Sequence, residues 1–358
     1  IHSARYAIAE GHLDMAGMTR AQIADPQMVT KLREGRESEI RPCVGATHCM
    51  SGYRPSCLHN PATGREITLP HIITRSTQAG RRIAVVGGGP AGLEAARVCA
   101  ERGHRVSLHE AAANLGGQVL LGTRGVWRRD LIGLIDWRTM ELERLGVQVH
   151  TNSYMEAEDV TALEPDVVII ATGGMPDTDW IDGAAHCTTA WDIISGQIPA
   201  RNEVLVFDGT GRHPAPQVAT QIASDGKTVT FASIDGHLAA ELTYAERIAW
   251  KRRLYEHKVT TIFDHRLVRV EPVGNRLAVT LANDATLDEQ VIQTDQVVVE
   301  HGTVPMDDVY KALRGQARNA GVTDIDALLA QSFDFGDESV RIEHDAIADD
   351  RQLARPYD

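Results

Sequence analysis

Three cysteines, Cys43, Cys49 and Cys57, lie close together on a stretch with several prolines and little periodicity. Thiolates on one irregular loop can wrap an iron–sulfur cluster, can bind zinc tetrahedrally, or can remain free. No signal peptide is visible, and in such chains clustered cysteines indicate metal or redox chemistry more often than disulfides. We therefore take these three as candidate metal ligands and assign no role to Cys99 or Cys187.

A glycine loop follows the strand-like segment Ile83–Val86 and precedes an Ala-rich helical pattern. Gly87 permits a tight turn, Gly89 lets the backbone approach a pyrophosphate, and Gly92 allows close packing of helix on strand. The helix N-terminus supplies amide donors to phosphates. Glu110 ends the next strand, where a carboxylate can bind ribose hydroxyls; a structural turn beside a surface glutamate is the alternative. The residues predicted to cradle an adenine dinucleotide are Gly87, Gly89, Pro90, Ala91, Gly92 and Glu110.

Two further turns agree with a dinucleotide site in this part of the chain. Gly117 and Gln118 come just after Glu110, where a glycine pair lets the backbone meet the ligand. Ala171, Thr172 and Gly173 follow a buried strand and turn the chain back toward the same place. Each turn is weak by itself, and their order and spacing carry the prediction.

A second glycine loop follows the strand-like segment Val204–Phe207 and could hold a second nucleotide. Gly209 and Gly211 are in register with the pattern, but the third glycine position holds Pro214. Proline lacks an N–H and alters the helix start that should hold a pyrophosphate. After the next strand come Ser233 and Asp235, with no arginine pair for a 2′-phosphate. A fold relic that binds no nucleotide is therefore the favoured interpretation.

The elements that must position these loops alternate between strand and helix, which predicts an α/β fold. The first forty residues read as helix, short buried strand and helix, and residues 41–80 as a loop-rich connector. The predicted N-terminal elements are the helix Ile1–Gly11, the strand Asp14–Arg20 and the helix Ala21–Glu34. The predicted strands that follow begin near Ile83, Arg105, Asp166, Val204, Thr228, Thr260, Leu267, Leu277 and Gln296, and the predicted helices near Gly92, Leu131, Gln217 and Leu242.

Composition narrows the function class. The 358 residues are 43% hydrophobic and 24% charged, which is ordinary for a globular protein, and the net charge is −13. An acidic chain disfavours nucleic acid or an anionic membrane as a partner. No apolar run is long enough to predict a transmembrane helix, and a cytoplasmic location is expected. The chain begins with Ile1 in what reads as the middle of a fold, so we expect an N-terminal part that precedes it.

The order of these motifs resembles the trimethylamine dehydrogenase and 2,4-dienoyl-CoA reductase group of old-yellow-enzyme-like iron–sulfur flavoproteins. The resemblance covers essentially the whole chain. It implies that Asp14–Pro26 is the end of a (β/α)8 barrel, with Arg20 contacting the phosphate of FMN. It also implies that Asp337, in a late Gly-Asp motif, meets the ribityl or pyrophosphate portion of a flavin. A plain turn at Asp337 is equally compatible with the sequence.

The resemblance also bears on the cysteines. The group has a four-cysteine [4Fe–4S] site, but here the second ligand position holds Ala46, so only three cysteines match. His48 or His59 is a candidate for the fourth ligand, and a three-iron cluster or no cluster is the alternative. The implied cofactors are FMN, FAD or ADP, and an iron–sulfur cluster.

The predicted architecture is therefore the end of a (β/α)8 barrel plus two Rossmann-like nucleotide-binding domains of the glutathione-reductase type. Residues 1–40 are assigned to the barrel and 41–80 to the cysteine loop and linker. Residues 81–180 and 290–358 are assigned to an FAD- or ADP-binding domain. Residues 181–289 are assigned to an NAD(P)H-binding-like domain that is degenerate.

The preferred function is oxidative N-demethylation of a methylated amine or amino acid, with electrons passed from FMN through a cluster to an external acceptor such as an electron-transferring flavoprotein. The stretch Ala240–Arg247, with Trp250 and Arg252–Tyr255, resembles N-demethylases such as those for dimethylglycine or N-methylproline. An NADPH-dependent 2,4-dienoyl-CoA or enoate reductase and a non-catalytic scaffold that binds ADP or FAD are the alternatives. A homo-oligomer or a hetero-complex is expected. The residues that contact substrate should precede Ile1, so no catalytic residue is assigned.

Overall fold

The computed structural model of the chain describes residues 1–50, 55–125, 127–317 and 321–322. These residues form the expected α/β fold, with two parallel sheets joined by shorter antiparallel pairs. The predicted flavin contact Asp337 lies outside the described residues. No helix within the described ranges is both long and apolar enough to span a membrane.

The α-helices are α1 (His2–Ala9), α2 (Thr19–Ala24), α3 (Met28–Arg33), α4 (Pro90–Glu101), α5 (Val119–Thr123), α6 (Gly133–Arg144), α7 (Ala157–Ala162), α8 (Ala190–Ser195), α9 (Pro214–Ser224), α10 (Tyr244–Glu256) and α11 (Asp308–Leu313). Short 3-10 turns occur at Glu37–Glu39, His48–Met50, Arg129–Ile132, Ala184–His186 and Arg314–Gln316. The strands are β1 (Arg82–Val86), β2 (Arg105–His109), β3 (Gln148–His150), β4 (Val167–Ile170), β5 (Gly174–Pro176), β6 (Cys187–Thr189), β7 (Glu203–Asp208), β8 (Thr228–Ser233), β9 (Thr260–Ile262), β10 (His265–Val273), β11 (Arg276–Asn283), β12 (Glu289–Thr294), β13 (Gln296–Glu300) and β14 (Thr303–Pro305).

The first parallel sheet has the strand order β3-β2-β1-β4. Its central strand β1 has parallel partners on both sides, which explains a run of apolar residues without alternation. Helices α4 and α6 bury Leu93 and Leu142 against Val85, all three fully buried. Val86 is in register with His109 of β2 and with Ile170 of β4, so the three strands end at one edge. That carboxyl edge carries the first glycine loop.

The second parallel sheet has the order β6-β13-β7-β8-β9. Helices α8, α9 and α10 cover one face, where Phe231 and Trp250 are buried. The antiparallel sheet β10-β11-β12 covers the other face, where Phe207 and Leu281 are buried. Both faces of the sheet are therefore shielded from solvent. Its carboxyl edge carries the second glycine loop.

The chain returns to the first sheet only after β13. Strand β13, which the sequence division placed with the first domain, pairs with β6 and β7 of the second sheet. The next strand, β14, pairs antiparallel with β5, and Val309 and Leu313 of α11 pack against Val86 and Val160. The crossing between the two sheets is thus made by short strands that the sequence pattern did not predict.

The N-terminal residues differ from the prediction. No strand forms at 14–18, which are mostly exposed, and residues from Thr19 onward are already helical. A parallel strand needs neighbours for its hydrogen bonds, and within the described residues this segment has none. The predicted helix Ala21–Glu34 is split in two because Pro26 forces the preceding Asp25 into an extended conformation. No closed sheet is formed by the described residues, so the barrel is not confirmed.

Candidate functional site

The first glycine loop makes a tight turn between β1 and α4. Gly87 has a φ of 108°, and its N–H donates to the His109 carbonyl at 2.8 Å. A Cβ on Gly92 would lie 1.9 Å from the Gly87 carbonyl oxygen, so only glycine fits where the helix crosses the turn. Gly89 is different, because a Cβ there would have nothing within 4 Å. Gly87 and Gly92 therefore lie at close backbone contacts, and Gly89 faces open space.

The N-terminus of α4 faces that open space. Gly89 is the N-cap and Pro90 is the first helical residue, where a missing N–H is harmless. Pro90 and Ala91 are exposed, and the first-turn amides of Ala91 and Gly92 have no acceptor within the helix. Free amides and the positive end of the helix dipole can bind a phosphate here.

Glu110 lies beside the loop, but its carboxylate has protein partners. One oxygen accepts from the Gly88 N–H at 2.6 Å and the other from the Ala112 N–H at 2.7 Å. The carboxylate is half-buried, so it can still accept from a ribose hydroxyl at its exposed side. Its first effect is structural, because it ties the glycine loop to the end of β2.

The structure brings the other predicted contacts to the same edge. A Cβ on Gly117 would lie 3.3 Å from the Gly89 Cα, and the Gln118 side-chain amide donates to the Gly174 carbonyl at 3.4 Å. The Ala171 carbonyl oxygen passes so close to Gly87 that a Cβ there would lie 2.2 Å from it. The Thr172 hydroxyl and Gly173 carbonyl hold this turn through bonds to the Met306 backbone. The predicted dinucleotide residues of the first domain, except Asp337, therefore lie on or beside the loop 87–92. This cradle of glycines, open at Gly89, fits an adenine dinucleotide.

The second glycine loop begins with the same backbone hydrogen bond as the first, but its second glycine is in a different environment. The Gly209 N–H donates to the Glu300 carbonyl at 2.8 Å, as Gly87 does to His109. Gly211, however, is buried, and a Cβ on it would lie 3.2 Å from the amide nitrogens of Ala240 and Glu241. The 240–241 segment therefore covers the glycine that should approach a ligand.

The helix that follows the second loop is also displaced. Helix α4 starts one residue after Gly89, whereas α9 starts at Pro214, three residues after Gly211. Pro216, the third helical residue, removes another amide, and Ala215 is 0% exposed. The sequence reasoning identified Pro214 but not Pro216 or the later helix start. The N-terminus of α9 has little left with which to bind a phosphate.

Asp208 is the residue that sequence reasoning missed. It is the last residue of β7, is 0% exposed, and lies in register with Glu300 of β13. Its Oδ1 accepts from the Thr210 N–H at 3.0 Å and the Gly211 N–H at 2.9 Å. Burial raises the pKa of Asp208 to about 6 and that of Glu300 to about 7, and the neighbouring carboxylates contribute. An acid at the end of the apolar run Val204–Phe207 was the signal available in the sequence.

The cysteine loop packs on the first domain through buried polar contacts. All five cysteines are free; Cys43 is exposed, and Cys49 and Cys57 are partly buried. The Arg138 guanidinium donates to the His59 carbonyl at 3.2 Å, and the His59 N–H donates to the Cys57 Sγ at 3.4 Å. These bonds fix the end of the loop against α6.

The structure constrains the metal predictions for this loop. Within the described residues, no three Cys, His, Asp or Glu side chains are arranged to hold one metal ion. Zinc requires its ligands on a single ion, whereas the ligands of a cluster attach to different irons. The arrangement therefore does not match the zinc alternative. The three free thiols are chemically suited to iron.

The two histidines proposed as a fourth ligand have different surroundings. His59 is 1% exposed; its Nδ1–H donates to the Pro42 carbonyl at 2.8 Å, and its Nε2 is buried without a partner. Burial lowers the pKa of His59 to about 3, so the ring is neutral. His48 is half-buried in a 3-10 turn. Ala46 packs against the core of the first domain. Of the two, only His59 offers a buried unprotonated nitrogen.

Arg20, the predicted FMN contact, lies in α2 with an exposed side chain. The described part of the chain gives it no hydrogen bond or ion pair, and it is not among the residues around Gly89. Its role as a phosphate contact stays a prediction.

Comparisons with known proteins agree with this geometry. A family model described as pyridine nucleotide-disulphide oxidoreductase matches residues 81–334, which include both glycine loops. The chain is 44% identical over 327 residues to a multifunctional alkene reductase/demethylase of Caballeronia cordobensis, covering 91% of this chain and 48% of that protein. It is also 44% identical over 335 residues to a probable N-methylproline demethylase of Rhizobium meliloti, covering 92% and 49%.

Among solved structures, a 6-hydroxypseudooxynicotine amine oxidase from Pseudomonas geniculata superposes with a TM-score of 0.82 at 27% identity, over 89% of this chain and 50% of that one. The chain thus spans about half the length of the curated relatives it matches.

Proposed function

The chain belongs to the pyridine nucleotide-disulphide oxidoreductase family, and from this we propose that it is the electron-transfer half of a flavin-dependent dehydrogenase that demethylates an N-methylated amine or amino acid. Both relatives described above carry demethylase in their names. The observation that carries the direction of electron flow is the burial of Gly211 under the 240–241 segment. A second loop whose ligand-facing glycine is covered disfavours NAD(P)H as electron donor.

The chemistry balances without a nicotinamide. Oxidation of an N–CH3 group removes two electrons and a proton, and addition of water then releases formaldehyde, the demethylated amine and a second proton. When bound, a flavin supplies a two-electron acceptor for such a step. The electrons then leave to an external acceptor, for which an electron-transferring flavoprotein is the proposed class.

Within this chain, the residues around Gly89 do the binding. The amides of Ala91 and Gly92 and the dipole of α4 would hold the pyrophosphate of FAD or ADP. Glu110 holds the glycine loop in shape and presents a carboxylate to the ribose. The segment Gly116–Gln118 lies over the loop, because the Gly116 N–H donates to the Gly88 carbonyl at 2.8 Å.

The proposal keeps the assignment of Arg20 to an FMN phosphate, of Cys43, Cys49 and Cys57 to cluster iron, and of Asp337 to a flavin. It also keeps the division into barrel end, cysteine loop and two nucleotide-binding-like domains. Supporting features are the three free thiols on a loop tied to α6 and the separate cores of the two sheets.

An alkene or enoate reductase is the second candidate, because the name of one relative includes alkene reductase. The test is anaerobic absorption spectroscopy of the holoprotein, with N-methylproline or dimethylglycine in one cuvette and NADPH in another. We expect the amine to bleach the flavin and release one formaldehyde per two electrons, and NADPH to have no effect. Proline and glycine are matched controls, since they lack only the methyl groups. Bleaching by NADPH alone would establish the reductase instead.

A further inference from the structure

The second glycine loop contains an anion of its own. The Asp208 Oδ1 accepts three hydrogen bonds, from the Thr210 N–H at 3.0 Å, the Thr210 hydroxyl at 3.2 Å and the Gly211 N–H at 2.9 Å. Successive backbone amides that converge on one oxygen form the kind of concavity that binds phosphate in other glycine loops. Here the oxygen that accepts these amides is the Oδ1 of Asp208, a protein side chain.

The surroundings of this carboxylate are acidic. Glu300 lies in register with Asp208 on the adjacent strand, and both side chains are buried. A Cβ on Gly211 would lie 2.7 Å from the Asp235 Oδ2, which places a third carboxylate over the loop. Glu241 interacts with Asp235, and the side chain of Arg212 is exposed. A pyrophosphate entering here would meet like charges at short range in a poorly solvated site, where repulsion is strong.

The first glycine loop lacks such an internal anion. The residue before Gly87 is the apolar Val86, which is buried in the core. The nearest carboxylate, Glu110, comes from a different strand and takes a single amide of the loop, that of Gly88. The space in front of Gly89 is left open.

We propose that Asp208 occupies the position of a ligand phosphate in the second glycine loop, and that it is the residue that excludes nicotinamide dinucleotides from this chain. The inference rests on the proposed function and deepens it, because it names the side chain that decides against NAD(P)H as a redox partner. Pro214 and the 240–241 segment over Gly211 are competing explanations, and Asp208→Gly separates Asp208 from them because it leaves both unchanged.

The experiment uses the holoprotein with Asp208→Gly and, separately, Pro214→Gly. The matched control is Asp295→Asn, because the Asp295 carboxylate also accepts a backbone amide of this sheet, the Glu203 N–H at 3.1 Å. Inorganic pyrophosphate and NADH are the probes. Binding is measured by calorimetry and by the rise in Tm that a ligand causes when it binds only the folded state.

We expect Asp208→Gly to bind NADH at least about tenfold more tightly than the wild type, because the loop amides are released and a like charge is removed. Pyrophosphate should raise the Tm of this variant more than that of the wild type. Asp295→Asn and Pro214→Gly should behave as the wild type does. A folded Asp208→Gly protein that binds no better than the wild type would overturn the proposal, as would a gain confined to Pro214→Gly.

Two further outcomes are decisive. If Asp208→Gly does not fold, Asp208→Asn keeps an acceptor for the loop amides and removes the charge. It should then show a several-fold gain in NADH affinity, and an unchanged affinity would refute the inference. Reduction of the wild-type flavin by NADPH would instead contradict the proposed function, so the two failures are distinguishable.

Discussion

The two glycine loops of this chain share a backbone plan and differ in what fills it. Each follows a buried parallel strand, and in each the first glycine donates its N–H to the carbonyl of the neighbouring strand at 2.8 Å. In the first loop the second glycine faces open space. In the second loop it is buried, and its amide is bound to Asp208. The same strand–turn–helix scaffold can therefore be kept while the loop amides are bound by a side chain of the loop itself.

The difference shows which part of a nucleotide loop is structural and which is functional. Close packing of strand against helix needs glycine where backbones touch. The first loop meets this need at Gly92, whereas the second loop has Pro214 at that position. Phosphate binding needs amides without acceptors and a helix end near the turn. The second loop has lost both, through Asp208 and through the late start of α9. Similarity of fold alone would not distinguish a loop that can bind phosphate from one that cannot.

The largest expected effect comes from Gly92→Ala in the first loop. The added Cβ would lie 1.9 Å from the Gly87 carbonyl oxygen, and a backbone oxygen at the turn cannot move aside as a flexible side chain could. We expect the free energy of unfolding to fall by about 3 kcal/mol, the upper part of the range for overpacking. Chemical denaturation measures this directly. Gly17→Ala is the control, since nothing lies within 4 Å of that position, and equal stability of the two variants would contradict the structure.

A smaller and more specific effect is expected for Gly89→Ala. A Cβ there meets no atom within 4 Å, and the φ of −72° suits alanine, so the fold should be unchanged. The methyl group would stand where the pyrophosphate approaches. We expect retention of the bound dinucleotide to weaken by about tenfold, which corresponds to about 1.4 kcal/mol.

The measurement for Gly89→Ala is the nucleotide released per chain after purification and dialysis, together with Tm in the absence of nucleotide. The variant should have the same Tm as the wild type without nucleotide, and it should release less nucleotide per chain. Full retention of nucleotide by the variant would show that the nucleotide does not bind at Gly89. The proposed contrast between the two loops would then be wrong.

The sequence predicts the first loop well because its requirements are local. Gly87, Gly89 and Gly92 act within a few residues of a strand and a helix that are themselves evident from apolar patterning. The break at Pro26 also follows from a local rule, since a residue before proline avoids helical geometry. The prediction of one continuous helix Ala21–Glu34 was wrong, because Asp25 is extended before Pro26.

The rest of the site depends on contacts between distant residues. The pairing of β5 with β14 joins Gly174 to Pro305, and the cover over Gly211 comes from residues some thirty positions later. Whether Asp208 turns toward its own loop or toward solvent cannot be read from a strand pattern. At 14–18 a local pattern was misleading. The apolar residues there predict a strand, but the segment has no strand partner within the described residues.

The smallest expected effect is a pH dependence confined to the second loop. Burial raises the pKa of Asp208 to about 6 and of Glu300 to about 7. Because these folded-state values exceed those of the unfolded chain, their contribution to stability is full below about pH 4 and is lost as pH rises through 6 to 7. Glu300→Gln removes one ionising group and one like charge. The free energy of unfolding of the variant should therefore fall less than that of the wild type as the pH rises from 5 to 8.

Urea titrations of the variant and the wild type at both pH values measure this difference. Comparing the two proteins at the same pH cancels the opposite effect of His59, because both contain it. That effect is opposite because the pKa of buried His59 is lowered to about 3, so its contribution is lost as pH falls through the unfolded value. Glu110→Gln at the first loop is the companion variant. If the two substitutions gave the same pH dependence, the carboxyl pair behind Gly209 would not be what sets the second loop apart.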